Sequence, residues 1–173
     1  VIKLNKTIAE LSSYLQSKEW LYDDETILSA EKPGDGNMNF TLRITTNRRS
    51  FIIKQSREYV EKYPQVAAPS ERVLLEAEFY NLAGTVPQLK LMMPNLIGLD
   101  QENSIMLMDD LGKGLDYSYL YEEGNVISEA DLLTVIYFIA KLHTSINSET
   151  TSQRIANKKM RELTMSIFLN IRT

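Results

Sequence analysis

The hydrophobic period of this chain changes from helical to two and back again, and these switches restrict its fold more than any single motif. Ile8, Leu11 and Leu15 recur at helical spacing, with Asn5 as the expected N-cap and Leu4 before it as a hydrophobic staple. From Thr26 the period is two. Residues 26–32 read as a strand, Pro33-Gly34-Asp35-Gly36-Asn37 as a turn, and Phe40, Leu42 and Ile44 alternate with Thr41, Arg43 and Thr45 as a half-buried strand. A short polar turn at Asn47-Arg48-Arg49 leads into a third strand, 50–55, which closes a meander with its glycine-containing loop between the first two strands. Residues 57–69 read as irregular. Ser70 then caps a helix with Val73, Leu74, Ala77, Phe79 and Leu82 on its apolar positions and Gly84 at its end. Two short strands follow at 95–99 and 104–108, joined by the turn Asp100-Gln101-Glu102-Asn103.

Beyond Asp109 acids, glycines and tyrosines mark a linker. Ser128 caps an apolar helix carrying Leu132, Leu133, Val135, Ile136, Ile139, Leu142 and Ile146. A last helix is expected from about Ser152 onward, with Met160, Leu163, Ile167, Phe168 and Ile171. No repeat or low-complexity tract interrupts this order.

Composition removes several function classes. With no cysteine, a disulfide scaffold, a thiolate metal cluster and a cysteine nucleophile are excluded, and one histidine, His143, cannot build a multi-histidine metal site. A net charge of −4 with scattered basic residues is not a nucleic-acid footprint. No apolar run reaches the roughly 18 residues of a membrane span. The chain begins at Val1, which reads as a trimmed end, and without a visible signal segment a cytoplasmic location is expected.

Four places could carry chemistry. The loop Gly34-Asp35-Gly36-Asn37-Met38-Asn39 lies between two strands, where glycines let backbone N–H groups face an anion. It fits neither the phosphate loop ending in Gly-Lys-Ser/Thr nor the three-glycine dinucleotide pattern, and alone it reads as a hairpin turn. Lys54 stands near the end of the next strand. Alone it is a strand-end lysine reaching to water; behind a glycine loop and ahead of an acidic helix it can pair with phosphates. The acid that would hold it is Glu76 or, second, Glu78, which lies about 200° around the helix so that both cannot face one lysine. Glu71, in the first turn, suits the helix dipole. The adjacent Asp109 and Asp110 make a poor metal pair, because neighbouring strand residues point to opposite faces. His143 ends an apolar helix with no acid beside it, so packing or capping is its expected role rather than general base.

Together these residues resemble the aminoglycoside phosphotransferase-like kinases, and among them most of all the methylthioribose kinases. The resemblance rests on Asp35-Gly36-Asn37-Met38-Asn39-Phe40, Ile53-Lys54-Gln55, Ser70-Glu71-Arg72 leading to Glu76-Ala77, Leu107-Met108-Asp109-Asp110-Leu111, and Ala140-Lys141-Leu142-His143, and covers residues 5 to 160. It implies an α+β fold: a protein-kinase-like small lobe of five antiparallel strands plus a helix over residues 1–108, a hinge and linker over 109–127, and the first helices of a large lobe over 128–173. It implies ATP and Mg2+, a small hydroxylated substrate such as a methylthioribose-like sugar, an aminoglycoside or an amino alcohol, and phosphoryl transfer to its hydroxyl. Gly36, Asn37, Met38, Asn39, Lys54 and Glu76 would hold the phosphates. Met108, Asp109 and Leu111 would form the adenine hinge, through the Asp109 carbonyl and the Leu111 N–H.

The sequence departs from that family in two respects. The histidine is followed by Thr144 and Ser145, and no catalytic-loop aspartate or later metal-binding aspartate precedes Thr173. No catalytic residue or metal ligand is therefore assigned within these residues. The segment 59–69 also lacks the tryptophan expected of methylthioribose kinases. The alternative from another class is a non-catalytic nucleotide-binding or interaction module, and a third reading is an unrelated α+β domain. ATP and the small substrate are the expected partners, a homodimer is admissible, and neither nucleic acid nor a membrane is expected.

Overall fold

The computed structural model describes residues 2–34, 36–112, 114 and 117–170. Asp35, Asp116 and Ile171, which the sequence reading used, lie outside them. The strands are β1 (Ile27–Glu31), β2 (Phe40–Thr46), β3 (Ser50–Gln55), β4 (Tyr59–Val60), β5 (Tyr63–Ala67), β6 (Leu96–Asp100) and β7 (Ile105–Asp109). The α-helices are α1 (Ile8–Ser17), α2 (Arg72–Ala83), α3 (Pro87–Lys90), α4 (Glu129–Ser145) and α5 (Lys158–Asn170), and a 3-10 turn covers Tyr117–Tyr121.

Five strands form one antiparallel sheet in the order β1-β2-β3-β7-β6, as the alternating pattern predicts. β3 is central. Its register against β2 pairs Thr41 with Lys54, and against β7 pairs Lys54 with Met106. Period-two alternation puts Leu42, Ile44, Phe51, Ile53, Ile105 and Leu107 on one face, where they pack with Leu11, Tyr14 and Leu15 of α1. The other face carries Ile52, Met106 and Met108 against Val73 and Ala77 of α2.

Two helices thus cover the sheet, where the sequence reading expected one. The reason lies in β3 and β7: Ile52-Ile53 and Met106-Leu107-Met108 are apolar on both faces, and each face needs a cover.

Several local expectations are corrected. α1 begins at Ile8, not beside Asn5; Asn5 Oδ1 accepts the Thr7 N–H (2.8 Å) and its amide donates to Glu10 Oε2 (2.6 Å). With Thr7 rather than Asn5 at the N-cap, Leu4 is not the residue before the cap, and it lies in the core cluster with Leu11 instead of forming the expected staple. Ser70 does not cap α2. Its carbonyl instead accepts the Ser56 hydroxyl, and Ser56 Oγ accepts the Val73 N–H (3.3 Å), so the cap comes from the residue after β3. The stretch 57–69 is not irregular: β4 and β5 pair as a separate hairpin, and Pro64 is tolerated because a two-stranded ribbon has free edges. α5 starts at Lys158 rather than Ser152. Before it, Asn147 Oδ1 accepts the N–H groups of Glu149 and Thr150, and Thr151 Oγ1 that of Gln153, local bonds that compete with a helix. Ser128 does cap α4, its hydroxyl oxygen accepting the Asp131 N–H (3.1 Å). No helix among the described residues is long and apolar enough to cross a membrane.

Candidate functional site

The β1–β2 loop, the end of β1 and the row Thr41–Lys54 line one cleft of about 490 Å³, formed by Lys32, Pro33, Gly34, Gly36, Asn37, Met38, Asn39, Thr41 and Lys54. A Cβ placed on Gly34 or Gly36 would meet no atom within 4 Å, so neither glycine is there to relieve crowding inside the protein. Both leave backbone open toward the cleft.

Lys54 belongs to the half-buried face of β3, on the side covered by α2. Its Nζ lies 2.6 Å from Glu76 Oε1, and the two side chains are 24% and 29% exposed. A half-exposed pair of this kind contributes roughly 0–1 kcal/mol to stability. Its larger consequence is geometric. Glu76 occupies one of the three ammonium donors, which fixes the head beside the cleft and leaves the other donors for anionic oxygens. Glu78 is exposed, which settles the choice between the two acids. Burial, and after it the neighbouring Glu76 carboxylate, push the Tyr80 hydroxyl pKa up, so Tyr80 stays neutral beside the pair.

The loop is braced from below. Glu61 and Lys62, in the β4–β5 turn, donate their N–H groups to the carbonyls of Met38 (3.3 Å) and Asn37 (3.0 Å). Arg72, in the first turn of α2 and 8% exposed, donates to Asn39 Oδ1 (3.2 Å) and to the Met38 carbonyl (2.8 Å). Desolvation draws the Arg72 pKa below its ordinary value.

The three hinge residues are placed differently. Met108 is buried under α2, one strand repeat along from the Lys54 row. Asp109 donates its N–H to the Asn95 carbonyl (3.0 Å), and its Oδ2 accepts from the Asn95 amide (2.6 Å). Leu111 is 71% exposed. None of the three lines the cleft beneath the loop. Asp109 and Asp110 do turn to different partners. Arg43 grips Asp110 with Nε and Nη2 (2.8 and 2.9 Å), Ser50 adds a hydroxyl (2.7 Å), and Arg43 also donates to the Gly112 carbonyl (2.6 Å). Burial would raise the Asp110 pKa, but Arg43, Ser50 and the Gly112 N–H outweigh it and lower it.

Three contributors escaped the sequence reading. Lys32 adds a second ammonium group to the cleft rim, legible only as a lysine closing the first strand. Arg43 fixes the segment after β7, and Arg72 fixes the loop; each partner is distant in sequence, and no local pattern marks them. His143 is exposed in the last turn of α4, and its carbonyl accepts from the Asn147 amide (3.3 Å). Asp131 Oδ2 accepts the Ser128 hydroxyl (2.7 Å) and belongs to the α4 cap. Among the described residues no three His, Asp or Glu side chains gather as metal ligands. The cleft therefore offers an anion backbone groups, two ammonium groups, side-chain amides and a hydroxyl.

No protein-family model matches this sequence, and no curated protein gives a significant match.

Proposed function

We propose that this chain forms the nucleotide-holding part of a cytoplasmic, ATP-dependent phosphotransferase that acts on a hydroxyl of a small molecule, in the manner of the aminoglycoside phosphotransferase-like kinases. The observation that carries this reading is the Lys54–Glu76 pair at 2.6 Å, which joins the central strand to α2 beside a glycine-containing loop. A lysine fixed by a helix acid beneath such a loop is suited to α- and β-phosphates, and the loop backbone to their remaining oxygens. The segment after β7, held by Arg43 and Asp110, is where the adenine edge would meet backbone groups. Magnesium, when bound with the nucleotide, would neutralise phosphate charge; its protein ligands are not assigned to the described residues.

The test uses the 173-residue chain with ATP, ADP and adenosine in titration calorimetry. Affinity for the nucleotides is expected on the order of millimolar, and Lys54→Ala should weaken ADP about tenfold, the loss of one charge-assisted hydrogen bond, while adenosine is held unchanged. Equal affinity of Lys54→Ala and wild type for ADP would make Lys54 a strand-end lysine. Incubated with labelled ATP, magnesium and methylthioribose, choline or an aminoglycoside, the chain should transfer no phosphate. Turnover near the roughly 1–100 s⁻¹ of kinases would mean that the catalytic groups lie within it.

A second reading, a non-catalytic nucleotide-binding or interaction module, draws on α4, where Leu132, Leu133, Ile136 and Ile139 are between 43% and 58% exposed. Sedimentation separates the two: a self-associated chain that binds ADP and does not take up a hydrophobic dye, its α4 face covered by a second copy, favours the module.

A further inference from the structure

The Arg72 guanidinium has five N–H donors, and the structure gives it five acceptors. Nε donates to Asn39 Oδ1, Nη1 to the carbonyls of Arg57 (3.0 Å) and Pro69 (2.5 Å), and Nη2 to those of Met38 (2.8 Å) and Tyr59 (3.3 Å). Every one of these acceptors is neutral. Burying a cation without a carboxylate is costly, and a stable fold alone does not require it. What the arrangement achieves is to join the β1–β2 loop, the exit of β3 and the β4–β5 hairpin to the first turn of α2.

Glu76 lies four residues further along α2. Residues at that spacing stand on one helix face, about 6 Å apart along the axis. One face of α2 therefore carries both the group that sets the loop and the group that sets the Lys54 ammonium. A shift or rotation of α2 moves the two together.

We infer that Arg72 is a positioning residue that locks the loop, at the Met38 carbonyl and the Asn39 side chain, in register with the Lys54–Glu76 pair, so that the position of α2 decides whether the cleft can hold a polyphosphate. The inference rests on the nucleotide reading of the site. Lysine cannot replace arginine here: three donors on one nitrogen cannot reach acceptors spread around a planar fork.

The experiment compares wild type with Arg72→Lys, and with Asn39→Ala, which removes the acceptor of Nε together with one side-chain amide of the cleft and spares the buried charge. ADP and adenosine affinities are measured by calorimetry, and amide hydrogen exchange is followed at Glu61 and Lys62, whose N–H groups bond the loop carbonyls. Arg72→Lys should weaken ADP about tenfold with adenosine unchanged, the size of one lost charge-assisted bond, and speed exchange at both amides. Asn39→Ala should speed exchange at both amides to a smaller degree, and that exchange, not its ADP affinity, is its readout. An equal loss for ADP and adenosine, or a lowered melting temperature with the ADP-to-adenosine ratio intact, would make Arg72 a structural staple only. If wild type binds neither ligand, the proposed function fails, and the exchange at Glu61 and Lys62 alone decides the coupling: unchanged exchange in Arg72→Lys overturns it.

Discussion

β3 and α4 are both rich in branched apolar residues, yet they live in opposite surroundings. In β3, Phe51 and Ile53 are fully buried, and Ile52 meets α2 on the reverse face. In α4, seventeen residues long, not one is buried, and Leu133 and Ile136 are 58% and 51% exposed. What separates them is the number of neighbours that fold topology supplies. β3 has a strand on each side and a helix on each face, whereas α4 meets α3, and its Leu142, with Ile146 just past its end, lines an open cavity together with Phe79 and Leu82 of α2. Apolarity alone states that a segment needs cover. It does not say that cover is present, and the energetics of the two segments should differ accordingly.

The widest gap is expected from truncating one large apolar side chain in each segment. Phe51→Ala should cost about 3–5 kcal/mol, the transfer of a buried ring plus the cavity left behind. Ile136→Ala should stay within about 0.5 kcal/mol, because most of its side chain is already in water. Urea unfolding followed by far-ultraviolet circular dichroism reads both. A loss above 2 kcal/mol from Ile136→Ala would mean that α4 is covered in solution, and the comparison would collapse.

A smaller effect is expected at Gly98 in β6. A Cβ there would fall 2.3 Å from Trp20 Cε2 and Nε1, because the indole sits over the strand at the bulge between Leu96 and Gly98. Gly98→Ala must displace that ring, at about 1–3 kcal/mol. Trp20 is the only tryptophan of the chain, so its emission should move with the ring. An unshifted spectrum together with wild-type stability would show that the β6 edge yields freely, and the sheet would then be less rigid than its burial implies.

Legibility followed the same division. Alternation in β2 and the β3–β7 pairing were readable because each strand face keeps its own chemistry, and Lys54 and Glu76 stood out as a charge beside apolar residues and an acid on a helix. The cap of α2 was misplaced because Ser56, not the adjacent Ser70, supplies it through a tertiary contact. The bonding roles of Arg72 and Arg43 are not legible for a like reason: their acceptors are mostly carbonyl oxygens or acids far along the chain, and nothing in a local window points to them. The apolar pattern of α4 predicted the helix correctly and could say nothing about what lies over it.

An effect of similar size, and the most selective for the sheet region, comes from acid. Asp100, at the end of β6, is 5% exposed and accepts from Lys18 Nζ (2.7 Å), the Tyr14 hydroxyl (2.8 Å) and the Asn103 side-chain amide (2.9 Å), which ties α1 to the β6–β7 turn. Burial by itself would raise its pKa; the Lys18 ammonium, the Asn103 amide and the Tyr14 hydroxyl outweigh burial and bring it from 3.8 down to about 2. Because the folded value lies below the unfolded one, the unfolded chain takes up its proton first as pH falls. The stabilisation is therefore complete above about pH 4 and is lost between that value and pH 2, a total of about 2 kcal/mol by linkage. Asp100→Asn should remove this limb: the urea midpoints of variant and wild type should converge as pH drops from 5 to about 2 and differ most near neutrality. Parallel pH profiles for the two proteins would show that the Tyr14–Asp100–Lys18 contact does not hold α1 on the sheet, and that the difference between the covered sheet and the exposed helix rests on apolar burial alone.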